Sequence, residues 1–185
     1  MWEVNVNIME QNPTDINRGK IYIYGSLNLP LAMIGYPLII WVPRLYATDI
    51  GLSLALIGTV LSVAAISDAI TDPVMGYITD RFRTRWGRRK IWIMLGLPLW
   101  GAAIWMLLNP SPNNTIVYLA IWFILLRAGS TLWGVPFSAW GAELSAEYHT
   151  RTMIQSIGQK YMIMGLIGGS AIPLLVEWFS AARND

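Results

Sequence analysis

The chain has 185 residues, of which 55% are hydrophobic and only 13% are charged, whereas a soluble domain is about a quarter charged. Ten tryptophans and sixteen glycines complete a membrane-like composition. There is no cysteine, which excludes a disulfide framework and a thiolate metal site. The basic residues gather in short clusters between apolar runs, the pattern of membrane topology and not of a nucleic-acid surface.

Residues 1–20, "MWEVNVNIMEQNPTDINRGK", are polar and rich in asparagine. They lack a basic start leading into a short apolar core, so the expectation is a cytoplasmic tail and not a signal peptide. Five apolar segments follow, at about Ile21–Leu45, Leu54–Ile78, Ile91–Leu108, Ile116–Trp140 and Met153–Phe179. Each is near the roughly 20 residues that a helix needs to cross the hydrocarbon core. Residues 21–179 are therefore expected to form an all-α transmembrane bundle, with 180–185 a short tail. Pro30, Pro37 and Pro43 should kink the first helix, and Gly134 and Pro136 the fourth. Gly165 and Gly169 form a small-xxx-small pair in the fifth, which lets backbones approach closely.

Nine of the thirteen basic residues, from Arg18 and Lys20 through the Arg81–Lys90 run to Arg151, fall on one side of these segments. Arg44 and Arg183 fall on the other. The richer side should be cytoplasmic, so the N-terminus is expected inside and the chain's end outside after five crossings. Arg127 and Lys160 remain, both within segments.

Asp68 and Asp72 lie four apart in the second segment, so their carboxylates share one helix face, separated by roughly 6 Å. A carboxylate at membrane depth needs a partner and marks a functional site by default. Counting from Asp80 at the cytoplasmic end puts Asp68 about 18 Å deep and Asp72 about 12 Å deep. The same arithmetic puts Arg127 about 20 Å deep and Lys160 about 12 Å deep. Two acids and two bases at matched depths suggest a charge-balanced cluster, and a pair of carboxylates there could hold a small cation or a proton. Asp80 stands at the unfavourable end of its own helix dipole, so it should pair with Arg81, Arg85 or Arg88, or with another helix. No catalytic triad or phosphate loop is present, so an enzyme is not expected, and neither is a cofactor beyond a coupling Na+ or H+.

Asp68-x-x-x-Asp72-Pro73, Gly76-x-x-x-Asp80-Arg81 and Trp86-Gly87-Arg88-Arg89-Lys90 together resemble the major facilitator superfamily. More closely, the chain is similar to the glycoside–pentoside–hexuronide:cation symporters. "TDIGLSLALIGTVLSVAAISDAITDPVMG", "GVPFSAWGAEL" and "RTMIQS" carry the likeness further. The resemblance implies about five helices of a six-helix N-terminal bundle. It implies that Asp68, Asp72 and Thr131 bind the cation, and that the stretch containing Gly76, Asp80, Arg81, Arg85, Gly87 and Arg88 is a cytoplasmic gate. Arg127, Lys160, Gln159 and Trp133 are then charge partners or line the substrate cavity. The sequence departs from the family at its sugar-binding positions. The acid and lysine of helix one fall near Leu31 and Ala32, the aspartate of helix four on Gly134, its tryptophan on Ser138, and the arginine of helix five on Gln159.

The expected function is the N-terminal portion of a transporter that moves a small, sugar-like solute with Na+ or H+ across a bacterial inner membrane. Its partners would be the bilayer, the solute, and a missing C-terminal half or second chain, with no nucleic acid. The alternative is a non-transporting membrane scaffold or assembly subunit that keeps a transporter-like half-fold.

Overall fold

The computed structural model describes residues 18–82, 89–110, 116–145 and 147–184, with the side chains of residues 18, 20 and 173–184 left out. Among these residues every regular element is a helix: α1 (Arg18–Ser26), α2 (Asn28–Thr48), α3 (Leu54–Arg81), α4 (Lys90–Leu108), α5 (Ile116–Glu143) and α6 (Tyr148–Asn184). Among the described residues, four spans are long and apolar enough to cross a membrane: Ile21–Thr48, Leu54–Arg81, Lys90–Leu108 and Ile116–Glu143. The fifth expected segment lies inside α6. Large apolar side chains such as Ile66, Ile70, Trp105 and Ile121 are exposed on these helices. That is the all-round apolar surface of a helix solvated by lipid.

The first expected segment is two helices and not one, with a turn at Leu27. Pro30 explains the break. It has no N–H for the Ser26 carbonyl four residues back, and its ring crowds that carbonyl. The Asn28 side chain covers part of the gap by donating Nδ2 to the Gly25 carbonyl at 3.2 Å. At the other end of α2 the chain closes on Gly51, whose φ is 77°. The Leu52 N–H reaches back to the Tyr46 carbonyl at 3.0 Å. A left-handed residue there satisfies carbonyls that the helix end leaves open, and glycine adopts it without a Cβ clash.

The chain divides into two units, one made of the chain up to Pro37 and from Gly141 onward, the other of Leu38–Trp140. In the first, α1 and the start of α2 run alongside α6. Ideal Cβ atoms placed on its glycines locate the contact. At Gly25 one would come within 2.6 Å of Ile157 and 3.3 Å of Tyr161. At Gly165 one would strike the Leu29 carbonyl, and at Gly169 the Met33 carbonyl. The pairs 25/161, 29/165 and 33/169 advance together by one turn, so the two strands of helix run parallel. The expected small-xxx-small pair is what lets them touch. Met33 is also the carbonyl that Pro37 deprives of its helical donor.

In the second unit, α4 and α5 interlock in the opposite sense. A Cβ on Gly96 would come within 2.6 Å of the Trp133 nitrogen, and one on Gly129 within 2.8 Å of the Trp100 nitrogen. Each helix thus offers a glycine to the tryptophan of the other. The Trp100 and Trp133 rings meet edge to face at 5.8 Å, a favoured aromatic geometry. The C-terminus of α4 is closed by side chains: Tyr118 Oη donates to the Met106 carbonyl and Asn109 Nδ2 to the Trp105 carbonyl, both at 2.9 Å.

Candidate functional site

The site forms where α3 meets α5 inside the second unit. Arg127 of α5 donates to Asp68 of α3, with Nε 2.5 Å from Oδ2 and Nη2 bonded to the same oxygen. One turn further, Thr131 Oγ1 donates to Asp72 Oδ1 at 2.7 Å. Both pairs are separated by 59 positions in the chain. Gly76 and Val135 keep the same offset one turn on, where a Cβ on Gly76 would lie 3.9 Å from Val135 Cγ1. A constant offset over two turns means that α3 and α5 run parallel and in register, with residues i and i+4 of each helix facing the other.

Asp68 is buried, at 7% exposure, whereas Asp72 is exposed. The depth arithmetic from sequence set Arg127 level with Asp68, and the structure joins the two. An open cleft of about 210 Å³ is lined by Asp72, Arg127, Ser130, Thr131, Gly134 and Ser138, with Val135 at its wall. Nothing lies within 4 Å of a Cβ built on Gly134, so the cleft is open at the position where the family's helix-four aspartate falls.

The hydroxyls of this unit behave in two ways. Thr59, Ser62, Ser67, Thr79, Ser130 and Ser138 all donate back to carbonyls of their own helices. That is the usual solution where water is scarce, because an unpaired hydroxyl in hydrocarbon is costly. Thr131 alone among these crosses to a carboxylate on another helix. This distinction could not be read from residue type. Ser130 and the open space at Gly134 are likewise features of the cleft that the sequence did not single out as a pair.

Trp133 is not part of the cleft lining. Two residues past Thr131 on a helix is about 200° around the axis, and its ring packs against Trp100 and Phe137. Its indole nitrogen is buried without a hydrogen-bond partner. Gln159 and Lys160 belong to the other unit, on α6, and both are exposed.

At the end of α3, Asp80 pairs with Arg89 Nη2 at 3.6 Å. Arg89 stands just before α4, so this pair ties the end of α3 to the start of the next helix, in line with the expectation that Asp80 pairs with a nearby arginine or with another helix. Asp80 lies at the negative end of the α3 dipole and Arg89 at the positive end of the α4 dipole, and pairing relieves both. Arg81 turns the other way. Its Nη1 donates to Tyr77 Oη at 2.8 Å and its guanidinium stacks 5.9 Å from the Tyr77 ring centre. Arg85, Gly87 and Arg88 lie outside the described residues. Among the described residues no group of three or more His, Cys, Asp or Glu side chains could hold a metal ion.

Comparison with known proteins places this geometry in context. The family described as MFS/sugar transport protein matches residues 23–184. A symporter of Synechocystis (sll1374) is 33% identical over 148 residues, 74% of this chain and 26% of that protein. The inner membrane symporter YicJ of Escherichia coli is 35% identical over 115 residues, 60% of this chain and 25% of YicJ. A lactose permease of Lactobacillus helveticus is 26% identical over 130 residues, 66% of this chain and 20% of that protein. The chain thus spans about a quarter of the length of these curated relatives.

Proposed function

We propose, from the premise that this chain belongs to the MFS/sugar transport protein family, that it forms part of a secondary active transporter coupling a cation to the movement of a small solute. The solute class is a sugar or glycoside-like compound, in keeping with a lactose permease among the relatives. Alternating access would expose the cleft between α3 and α5 to one side of the membrane and then the other, with further helices closing it. The chain would sit in a bacterial inner membrane with its N-terminus in the cytoplasm. Gly76, Asp80, Arg81, Arg85, Gly87 and Arg88 would form the cytoplasmic gate, with Arg89 as the partner of Asp80.

The single observation that carries this reading is the bond from Thr131 to Asp72 inside an open cleft. A carboxylate at membrane depth, oriented by a hydroxyl and left accessible, can take and release a cation; one sealed into packing cannot. The experiment is uptake of labelled glycosides into proteoliposomes. It is run with this chain alone and with the chain continued by the part of its relative YicJ that lies beyond the matched region. Uptake driven by an imposed Na+ or H+ gradient and abolished by Asp72→Asn is the expected result. Uptake indifferent to both gradients and to Asp72→Asn would overturn it.

One observation favours a second reading. Arg127 already neutralises Asp68, as it would in a scaffold or assembly subunit that keeps the half-fold without transporting. That reading predicts no cation binding at all, by wild type or by Asp72→Asn.

A further inference from the structure

We infer that Arg127 is a built-in cation that takes Asp68 out of the coupling site, so that Asp72 is the carboxylate serving the mobile cation. This rests on the symport reading above and divides its carboxylate pair into two roles. Asp68 becomes a positioning residue for Arg127, and Arg127 becomes the residue that sets cation affinity and number.

The two carboxylates differ in every respect that bears on this. Asp68 is buried, and one of its oxygens accepts both Nε and Nη2 of Arg127. A guanidinium does not lose its proton in a protein, so it neutralises Asp68 permanently. Asp72 is exposed to the cleft, accepts a hydroxyl on Oδ1, and has no ion-pair partner among the described residues of its unit.

Charge counting then limits the site. Asp68, Arg127 and Asp72 sum to one negative charge, which one monovalent cation balances. A second cation would leave a net positive charge in a low-dielectric setting, which is costly. A mobile cation reaching for Asp68 would also have to displace a guanidinium that is covalently tethered beside it. Arg127 itself lines the cleft, so it faces any cation arriving at Asp72 and weakens its binding.

The test titrates Na+ and Li+ into the purified chain in nanodiscs, with choline chloride as the ionic-strength control. Binding is read by tryptophan fluorescence and stoichiometry by calorimetry, and a parallel arm counts protons taken up per chain. Wild type should bind one monovalent cation, lost in Asp72→Asn. Arg127→Gln frees a second carboxylate and should tighten binding by about tenfold or more, or raise the number bound to two. Asp68→Asn leaves the guanidinium unpaired and should weaken binding. The double variant Asp68→Asn with Arg127→Gln removes both charges and should return to one cation at near wild-type affinity. It also guards against a misfolded single variant, because it leaves no unpaired charge behind.

If Asp72→Asn abolishes binding while Arg127→Gln and the double variant both match wild type, this inference is overturned and the symport reading stands. If Asp68→Asn with Arg127→Gln abolishes binding, Asp68 is itself a cation ligand and the inference is again overturned. If wild type binds neither alkali ions nor protons, both fail together.

Discussion

Thr131 is one hydroxyl among several on these helices, and its environment separates it from the rest. Its neighbour Ser130 donates back to the Arg127 carbonyl at 2.6 Å, while Thr131 donates to Asp72. A hydrogen bond to a charged group contributes about 1.5–3 kcal/mol. It holds one carboxylate oxygen of a residue that lines the cleft. Thr131→Val keeps the shape and removes the donor, so cation affinity is expected to fall roughly tenfold, the equivalent of about 1.4 kcal/mol. Thr131→Ser keeps the donor and should bind nearly as wild type. The same Na+ titration checks both, and equal loss in the two variants would mean that the threonine methyl, and not the hydroxyl, matters. Asp68 and Arg127 were recognisable from sequence as a matched pair, because depth in a helix follows from counting residues. Residue type did not set Thr131 apart from Thr59 or Thr79; only the family resemblance pointed to it.

At the scale of the element, the helices meet through glycines, and the glycines are not equivalent. Gly129 lies against the backbone of Trp100, where an added Cβ would come within 2.8 Å of a nitrogen. A backbone atom cannot move aside as a flexible side chain can. Gly129→Ala should therefore force α4 and α5 apart and destabilise the unit by about 1–3 kcal/mol. Gly134, five residues later on the same helix, has nothing within 4 Å of the added atom. Gly134→Ala should be neutral, or stabilise by up to about 1 kcal/mol through the helix propensity of alanine. Thermal unfolding in detergent, followed by circular dichroism, distinguishes the two. If both variants melt alike, the α4–α5 approach is looser than described. Sequence alone marked Gly134 as a weak point beside Pro136. Only the packing of α4 on the far side of α5 distinguishes the tight glycine from the open one.

For the whole molecule, the distribution of lysine and arginine argues for one orientation in the membrane. By that rule the basic run after α3 would lie inside and the α2–α3 turn outside. The chain contains no cysteine, so single cysteines can be introduced without a background. Asp49→Cys, in the exposed turn after α2, should react with a membrane-impermeant maleimide in intact cells. Gly87→Cys should react only after the membrane is opened. The reverse pattern would invert the topology and place the Asp80–Arg89 pair on the outer face.

The sequence by itself determined that this is a helical membrane protein, where its apolar spans lie, and which ionisable groups fall within them. Those are properties of composition and of distance along one helix, and a helix converts residue number into depth at a fixed rise. The tertiary structure decided what faces what: the parallel register of α3 and α5, the crossing of Thr131 to Asp72, the turn of Trp133 away from the cleft toward α4, and Arg89 as the partner of Asp80. In a chain that is apolar on every side, hydrophobic patterning cannot say which face of a helix meets its neighbour. That choice is made by close contact at a few glycines and by the need of each buried charge for a partner, and both depend on residues far away in the chain.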